Sequence, residues 1–324
     1  MYKSYYNLRR NPFEITPDPE FLFATKGHNE ALAALYYGIR WRKGFVVLTG
    51  QVGTGKTLLL RCLLQLLKQS KDVAYAYLFN SRLCPTEFLQ YIVRDLGMSS
   101  TAKTKGELLF DLCHFVVNRN EKNLTTLLIV DEAHHLSTEV LEEIRLLTNL
   151  ETAQHKMLQI VLIGQPELDG KLDSAGMVQL KQRVAVRCHL KPLDCEETKG
   201  YIERRMQLVT ASSDAAALFP MATVGAIHHY SGGIPRLINT ICENALIAAY
   251  VKQLPAVTPN IIDAVAKDLR LEVCLEDSLP VAMPEEMDVQ QAARILLDLY
   301  AALHKTPTRE TQLHAPVSVR MSQA

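Results

Sequence analysis

Eight consecutive residues constrain this chain more than any others: Gly50-Gln51-Val52-Gly53-Thr54-Gly55-Lys56-Thr57. They satisfy the pattern G-x-x-x-x-G-K-[ST], and their flanks decide what that pattern means. Phe45-Val46-Val47-Leu48, just before it, is a short apolar, β-branched run that predicts a buried strand. The stretch from Leu58 to Leu67, just after it, is apolar on most faces and predicts a buried helix. Glycines between the two let the backbone curl so that successive N–H groups point at one place. The helix N-terminus adds a partial positive charge there. Such a loop cradles phosphate. Lys56 would reach the β- and γ-phosphates of a nucleoside triphosphate, and the Thr57 hydroxyl would ligate Mg²⁺. The predicted contacts include Leu58, in the first helical turn.

Around this loop the sequence alternates. Strand-like runs recur at 73–79, 126–130, 159–163 and 184–190, separated by helical patterns at 85–96, 105–119, 138–152 and 175–182. With the first strand they predict an α/β fold, a parallel five-stranded sheet between helices. From about Asp194 the strand signals stop. Helical stretches near 195–209, 220–230, 235–252 and 258–269 predict a small all-helical lid. The expected organisation is therefore an N-terminal segment over 1–43, a nucleotide-binding unit over 44–192, a lid over 193–270 and a tail over 271–324. The tail opens acidic, has the pattern of one helix at 289–304, and ends in a Thr-, Pro-, Ser- and Gln-rich stretch whose composition predicts disorder.

Lys+Arg and Asp+Glu are equal at 35 each, so the overall field argues neither for nor against an acidic partner such as nucleic acid. Seven cysteines without a C-x-x-C pair fit a reducing compartment, and Cys188, His189 and Cys195 lack the second ligand pair that zinc would want. The first ten residues hold no apolar signal region, and the Leu58–Leu67 helix is too short and too interrupted to span a membrane. The expectation is a soluble, cytoplasmic protein.

Leu127-Leu128-Ile129-Val130-Asp131-Glu132 carries the next signal. Four apolar residues ending in two carboxylates describe a buried strand that opens onto a ligand crevice. Asp131 would hold Mg²⁺, directly or through water, and Glu132 would polarise the attacking water. Asp131-Glu132-Ala133-His134 also spells the DEAH box of one helicase group. Those enzymes need a second RecA-like lobe, and only about 190 mostly helical residues follow here. His134 and His135 are read as helix-cap or partner-facing residues. Gln165, after the strand ending Leu162-Ile163-Gly164, could position the lytic water near the γ-phosphate or cap a helix. Arg183, before the last strand, and Arg236, in Ser231-Gly232-Gly233-Ile234-Pro235-Arg236, could each stabilise charge on a transferring phosphoryl group, the first in trans and the second in cis. Arg187 is an alternative to Arg183.

These motifs in this order resemble the AAA+ ATPases, and more narrowly the ExeA-like group, also called general secretion pathway protein A. The resemblance spans about residues 1–270. It rests on Tyr6-Asn7-Leu8, Asn11-Pro12-Phe13 and Pro17-Asp18-Pro19, then Phe21-Leu22-Phe23, Gly50–Thr57 and Asp131-Glu132-Ala133-His134. Ile163-Gly164-Gln165-Pro166-Glu167-Leu168, Gln182-Arg183-Val184 and Ser231–Asn239 complete it. The resemblance implies a P-loop AAA+ fold with ATP and Mg²⁺ as cofactors, Gln165 at the sensor-1 position, Arg183 as arginine finger and Arg236 as sensor 2. It places the segment around Phe23–His28 beside the adenine. It also implies a homo-oligomer, ring or filament, with ATP at subunit interfaces, that assembles or remodels a protein complex in secretion or export. The secretion proteins carry a membrane span and a peptidoglycan-binding domain after the ATPase, and residues 271–324 match neither, which argues against direct insertion of a secretion pore. The same core is similar to transposition ATPases of the TniB, TnsC and MuB type. The alternative is thus an ATP-dependent regulator that binds duplex DNA, with Lys103, Lys105, Arg119 and Lys122 as the basic residues available.

Asn80, at the end of the second predicted strand, could by its position hold Glu132 in an inactive rotamer until a partner engages. If so, Asn80→Ala changes basal or partner-stimulated ATP turnover; identical phosphate-release rates in both assays would refute that role.

Overall fold

The computed structural model describes residues 2–16, 18–68, 70, 72–79, 82–99, 101, 104–210 and 218–271. Asn80, Lys103, Pro17 and the predicted tail beyond Leu271 lie outside them. A short helix α1 (Tyr2–Tyr5) and α2 (Lys26–Arg40) precede β1 (Phe45–Gly50), and α3 (Lys56–Lys68) follows the glycine loop. Then come β2 (Val73–Leu78), α4 (Pro85–Asp95), α5 (Lys105–Glu121), β3 (Thr125–Val130) and α6 (Thr138–Leu147). The α/β part ends with β4 (Leu158–Gly164), α7 (Glu167–Leu172), α8 (Val178–Lys181) and β5 (Val184–Leu190). Four helices close the described chain: α9 (Cys195–Val209), α10 (Met221–Ser231), α11 (Pro235–Val251) and α12 (Pro259–Asp268).

The five strands form one parallel sheet in the order β2-β3-β4-β1-β5, the α/β arrangement that the alternating pattern predicts. Every residue of β1, β3 and β4 is buried, which is why these strands read as uninterrupted apolar runs. The strand period of two sorts their side chains between two cores. Val47, Leu128 and Leu162 face the core covered by α4 to α8, and Val46, Ile129 and Val161 face the core covered by α2 and α3. The edge strands β2 and β5 are only partly buried.

Two predicted helices differ from those found. The pattern over 138–152 yields a helix that stops at Leu147, where Thr148 turns its hydroxyl back onto the Arg145 carbonyl. The pattern over 175–182 yields a single 3₁₀ turn, Ala175–Met177, leading into the four-residue α8. Both α1 and α7 escaped the sequence reading because they are too short to show a period.

The four closing helices have their own core, and the N-terminal segment belongs to it. Tyr2, Tyr6, Leu8, Phe13 and Phe21 bury their side chains with Tyr201, Ile202, Met206 and Ile238. Buried Arg205 fixes the arrangement: it donates to the Pro12 carbonyl at 2.7 Å and lies over the Phe21 ring at 4.7 Å. The Tyr2 hydroxyl donates to the Glu243 carboxylate at 2.7 Å.

Two glycines set how these helices meet the sheet. Gly232 and Gly233 adopt φ of 54° and 71° at the end of α10, and a Cβ on Gly233 would stand 1.8 Å from the Leu193 carbonyl oxygen. Leu193 in turn donates its N–H to the Gly233 carbonyl at 2.8 Å. Backbone packs on backbone here, and only glycine permits it. Gly233→Ala is therefore expected to destabilise the protein by about 2–4 kcal/mol, combining left-handed strain with a steric overlap that must be relieved. A urea-denaturation midpoint equal to that of the unaltered chain would contradict this packing.

Candidate active site

Parallel register brings the predicted site residues to one edge of the sheet. Thr49 lies beside Gly164 and Gly50 beside Leu190, while Val130 lies beside Leu162. The loops leaving β1, β3 and β4 thus open into the same crevice, with Lys56, Asp131, Glu132 and Gln165 in or just after them.

The β1–α3 loop is shaped as the motif requires. Gly53 and Gly55 have φ of 84° and 102°. A Cβ on Gly53 would meet Arg236 Cβ at 2.7 Å, and one on Gly50 would meet the Leu190 carbonyl oxygen at 2.8 Å. Lys56 is 7% exposed and donates its ammonium to the carbonyls of Gly50 and Gln51 at 2.7 and 2.8 Å. Burial pushes its pKa down, against the opposing pull of Glu132, Asp131 and Glu167. Thr57 and Leu58 follow in the first turn of α3 and are half-buried. Gln51 and Val52 form the exposed tip of the loop, while buried Thr54 ties it by donating its hydroxyl to the Gln51 carbonyl at 2.9 Å.

Asp131 is also buried, and burial raises its pKa, a push only partly offset by hydrogen bonds. It accepts from the Tyr77 hydroxyl at 3.1 Å and from the Glu132 N–H at 2.9 Å. A cation beside this carboxylate would relieve the cost of its burial. An Asp carboxylate and a Thr hydroxyl are the hard oxygen donors that suit magnesium. The residues present fit a magnesium nucleotide: a glycine cradle, a helix N-terminus and a buried anion face the same crevice.

Glu132 adopts a left-handed backbone, φ 51° and ψ 37°, a conformation that costs about 1–2 kcal/mol for a side chain of this kind. The turn it makes throws His134 inward. His134 is 8% exposed, so the reading of it as a cap or partner-facing residue is wrong; only its neighbour His135 is exposed. Its Nδ1 accepts from the Gln165 N–H at 3.3 Å and lies 3.4 Å from Glu132 Oε2, and its Nε2 lies 3.0 Å from the Gln165 carboxamide. Gln165 therefore spends its side chain on His134 and caps no helix; α7 begins at Pro166 without a side-chain cap. The one available signal is that the pair His134-His135 is set between Ala133 and Leu136, both buried, in a segment that must pack under the sheet edge; it does not say which histidine turns inward.

The arginines divide. Arg236, exposed in the first turn of α11, donates its backbone N–H to the Gly53 carbonyl at 3.3 Å, which brings the helical unit onto the phosphate loop. Arg183 sits at the other end of the molecule's sheet, because Val184 pairs with Phe45. Seven residues of β5 separate it from the loop edge, roughly 20 Å at strand rise. Arg183 makes no ion pair among the described residues; its field adds to that of Lys156 in lowering the Glu151 carboxyl. Arg187 is engaged within its own chain, 3.4 Å from Asp169 and 3.6 Å from Asp173. His28, at the start of α2, is a contact the motifs do not reveal. It bridges Thr25 at 2.8 Å and the Thr54 carbonyl at 3.1 Å, and so props the phosphate loop from behind.

Known proteins share this layout. Residues 39–172 match the family described as AAA domain. General secretion pathway protein A of Aeromonas hydrophila is 42% identical over 254 residues, covering 78% of this chain and 45% of that protein. The chain thus spans less than half the length of the relative it matches. Among solved structures, Cdc6p from Pyrobaculum aerophilum superposes with a TM-score of 0.59 at 18% identity, covering 77% of this chain and 70% of that one. The Aeropyrum pernix ORC2 protein does so at 0.57 and 20% identity, covering 80% and 71%. These two show a shared fold. The chain therefore carries an AAA domain, and over 254 residues it resembles General secretion pathway protein A.

Proposed function

We propose that this ATPase binds ATP with Mg²⁺ at Gly50–Thr57, hydrolyses it at an interface between identical subunits, and uses the cycle to assemble or remodel a protein complex, as in secretion or export. One observation supports the interface: Arg183 stands roughly 20 Å along β5 from its own phosphate loop, out of reach of its own nucleotide and free to serve a neighbour's. The identity to General secretion pathway protein A supports the export reading.

Each residue then has a task. The N–H groups of the loop and the start of α3 bind phosphate oxygens, and Lys56 exchanges the Gly50 and Gln51 carbonyls for them. Thr57 and Asp131 would hold the magnesium, which when bound supplies positive charge against the phosphoryl oxygens. Glu132 polarises the attacking water, with Gln165 orienting from the adjacent strand end. Arg236, held at Gly53 by its backbone, senses the nucleotide from the helical unit. Arg183 of the neighbour completes the charge around the transferring group.

The DNA-binding alternative has less to rest on. Lys105 is paired with Glu143, and Arg119 donates to the Asp72 and Thr125 carbonyls at 2.9 and 3.0 Å. Two of its four basic residues are thus engaged within the chain.

Lys56→Ala is expected to weaken ATP binding about ten- to a hundredfold, from the loss of a charge-assisted contact. Glu132→Gln is expected to bind ATP normally and hydrolyse it at least about a hundredfold more slowly. Equilibrium binding of a fluorescent nucleotide beside a phosphate-release assay separates the two effects. For the shared site, Arg183→Ala and Glu132→Gln subunits should each be inactive alone and regain turnover when mixed. Full activity of Arg183→Ala by itself, or no recovery on mixing, would exclude a trans-acting Arg183.

A further inference from the structure

A carboxylate, a backbone N–H and a carboxamide meet at one imidazole. His134 Nδ1 faces both Glu132 Oε2, at 3.4 Å, and the Gln165 backbone N–H, at 3.3 Å. Its Nε2 lies 3.0 Å from the Gln165 carboxamide. That Glu132 oxygen is buried and has no hydrogen-bond partner. The backbone that carries the ring is tied down: Lys171 donates to the carbonyls of His134 and Leu136, and Gly164 permits the close approach, since a Cβ there would meet the His134 nitrogen at 3.2 Å.

A neutral imidazole has one proton to give and one lone pair to offer. Burial, the adjacent His135 and Lys171 all favour this neutral form over the cation, while Glu132 and Glu167 oppose them. Two arrangements are open to the ring, and each satisfies only part of these contacts. With the proton on Nε2, the ring donates to the carboxamide oxygen of Gln165 and accepts the Gln165 backbone N–H at Nδ1. The Glu132 carboxylate then faces a lone pair and is pushed away, while the Gln165 NH₂ is free to point into the crevice. With the proton on Nδ1, the ring donates to Glu132 and accepts the Gln165 NH₂ at Nε2, and the Gln165 backbone N–H must give up its bond to Nδ1. Glu132 is then held, and the NH₂ is spent. Passing between the two releases one proton to water and takes up another, so the net charge is unchanged.

We propose that His134 is a positioning residue that makes these states exclusive: a Gln165 amide turned toward the γ-phosphate releases Glu132 for water, and an amide turned toward His134 restrains it. The proposal deepens the reading of Glu132 as the water-polarising carboxylate and rests on it.

Nitrogen-15 NMR of the histidine rings reports the tautomer directly. In the full chain, His134, assigned by comparison with His134→Asn, should show the Nδ1–H form with ADP and the Nε2–H form with a non-hydrolysable ATP analogue and Mg²⁺. The same tautomer in both states, or a cationic ring in both, overturns the proposal. Kinetics give an independent measure. His134→Asn should lower kcat about ten- to a hundredfold, as expected for a misplaced reacting group, with ATP affinity unchanged. Adding Gln165→Ala should cost little more, because both act through one chain of contacts. Multiplicative losses, or a parallel loss of affinity, would reduce His134 to a packing residue. Full turnover in Glu132→Gln would sink the underlying reading and this one with it. A dead Glu132→Gln beside an unaltered kcat in His134→Asn would sink this one alone.

Discussion

Parallel pairing of β1, β3 and β4 puts three chemically different loops into one crevice. A one-residue slip would invert every side chain between the two cores, so the register is fixed by Val46, Val47 and their counterparts and not by the loops. That separation of duties lets the loops carry strain. Glu132 can sit in a left-handed backbone, and Gly53 can approach Arg236 closely, because the strands beneath them have no alternative packing.

The helical unit and the N-terminal segment act on that crevice from one side. The N-terminus is fastened to α9 and α11 by Arg205 and Tyr2 and then runs into α2, whose His28 touches Thr54. The helical unit also reaches the loop directly through the Arg236 N–H on Gly53. Two routes from the same body thus end in hydrogen bonds to the phosphate loop, at Thr54 and at Gly53.

Much of this was legible in the sequence, for a physical reason. Fully buried parallel strands write themselves as apolar runs, and a phosphate loop needs glycine where the backbone turns left-handed, so β1, β3, β4 and Gly50–Thr57 are visible without a structure. Asp131 and Glu132 were visible because carboxylates at the end of such a run have nowhere to go but a crevice. His134 was not, because what it does depends on the angle of the Glu132 turn and on Gly164, which is adjacent in space but far along the chain at the end of the neighbouring strand. Short elements such as α7 carry too few residues for a period. The tie between the first twenty residues and α9 is a contact across nearly two hundred positions, and no local pattern encodes it.

The direction of the strands has a consequence for symmetry. Arg183 and the phosphate loop lie at opposite ends of β5, so a contact that joins one subunit's arginine to another's loop uses two different surfaces. A twofold pair could satisfy both sites only through a face spanning the whole length of the sheet. Under the proposed shared site the simpler contact is heterologous: each subunit would offer a loop at one end and an arginine at the other, and every addition would leave both ends open. Growth then stops only where the rotation per subunit returns on itself. The polarity of a single edge strand thereby becomes the polarity of any assembly built on it.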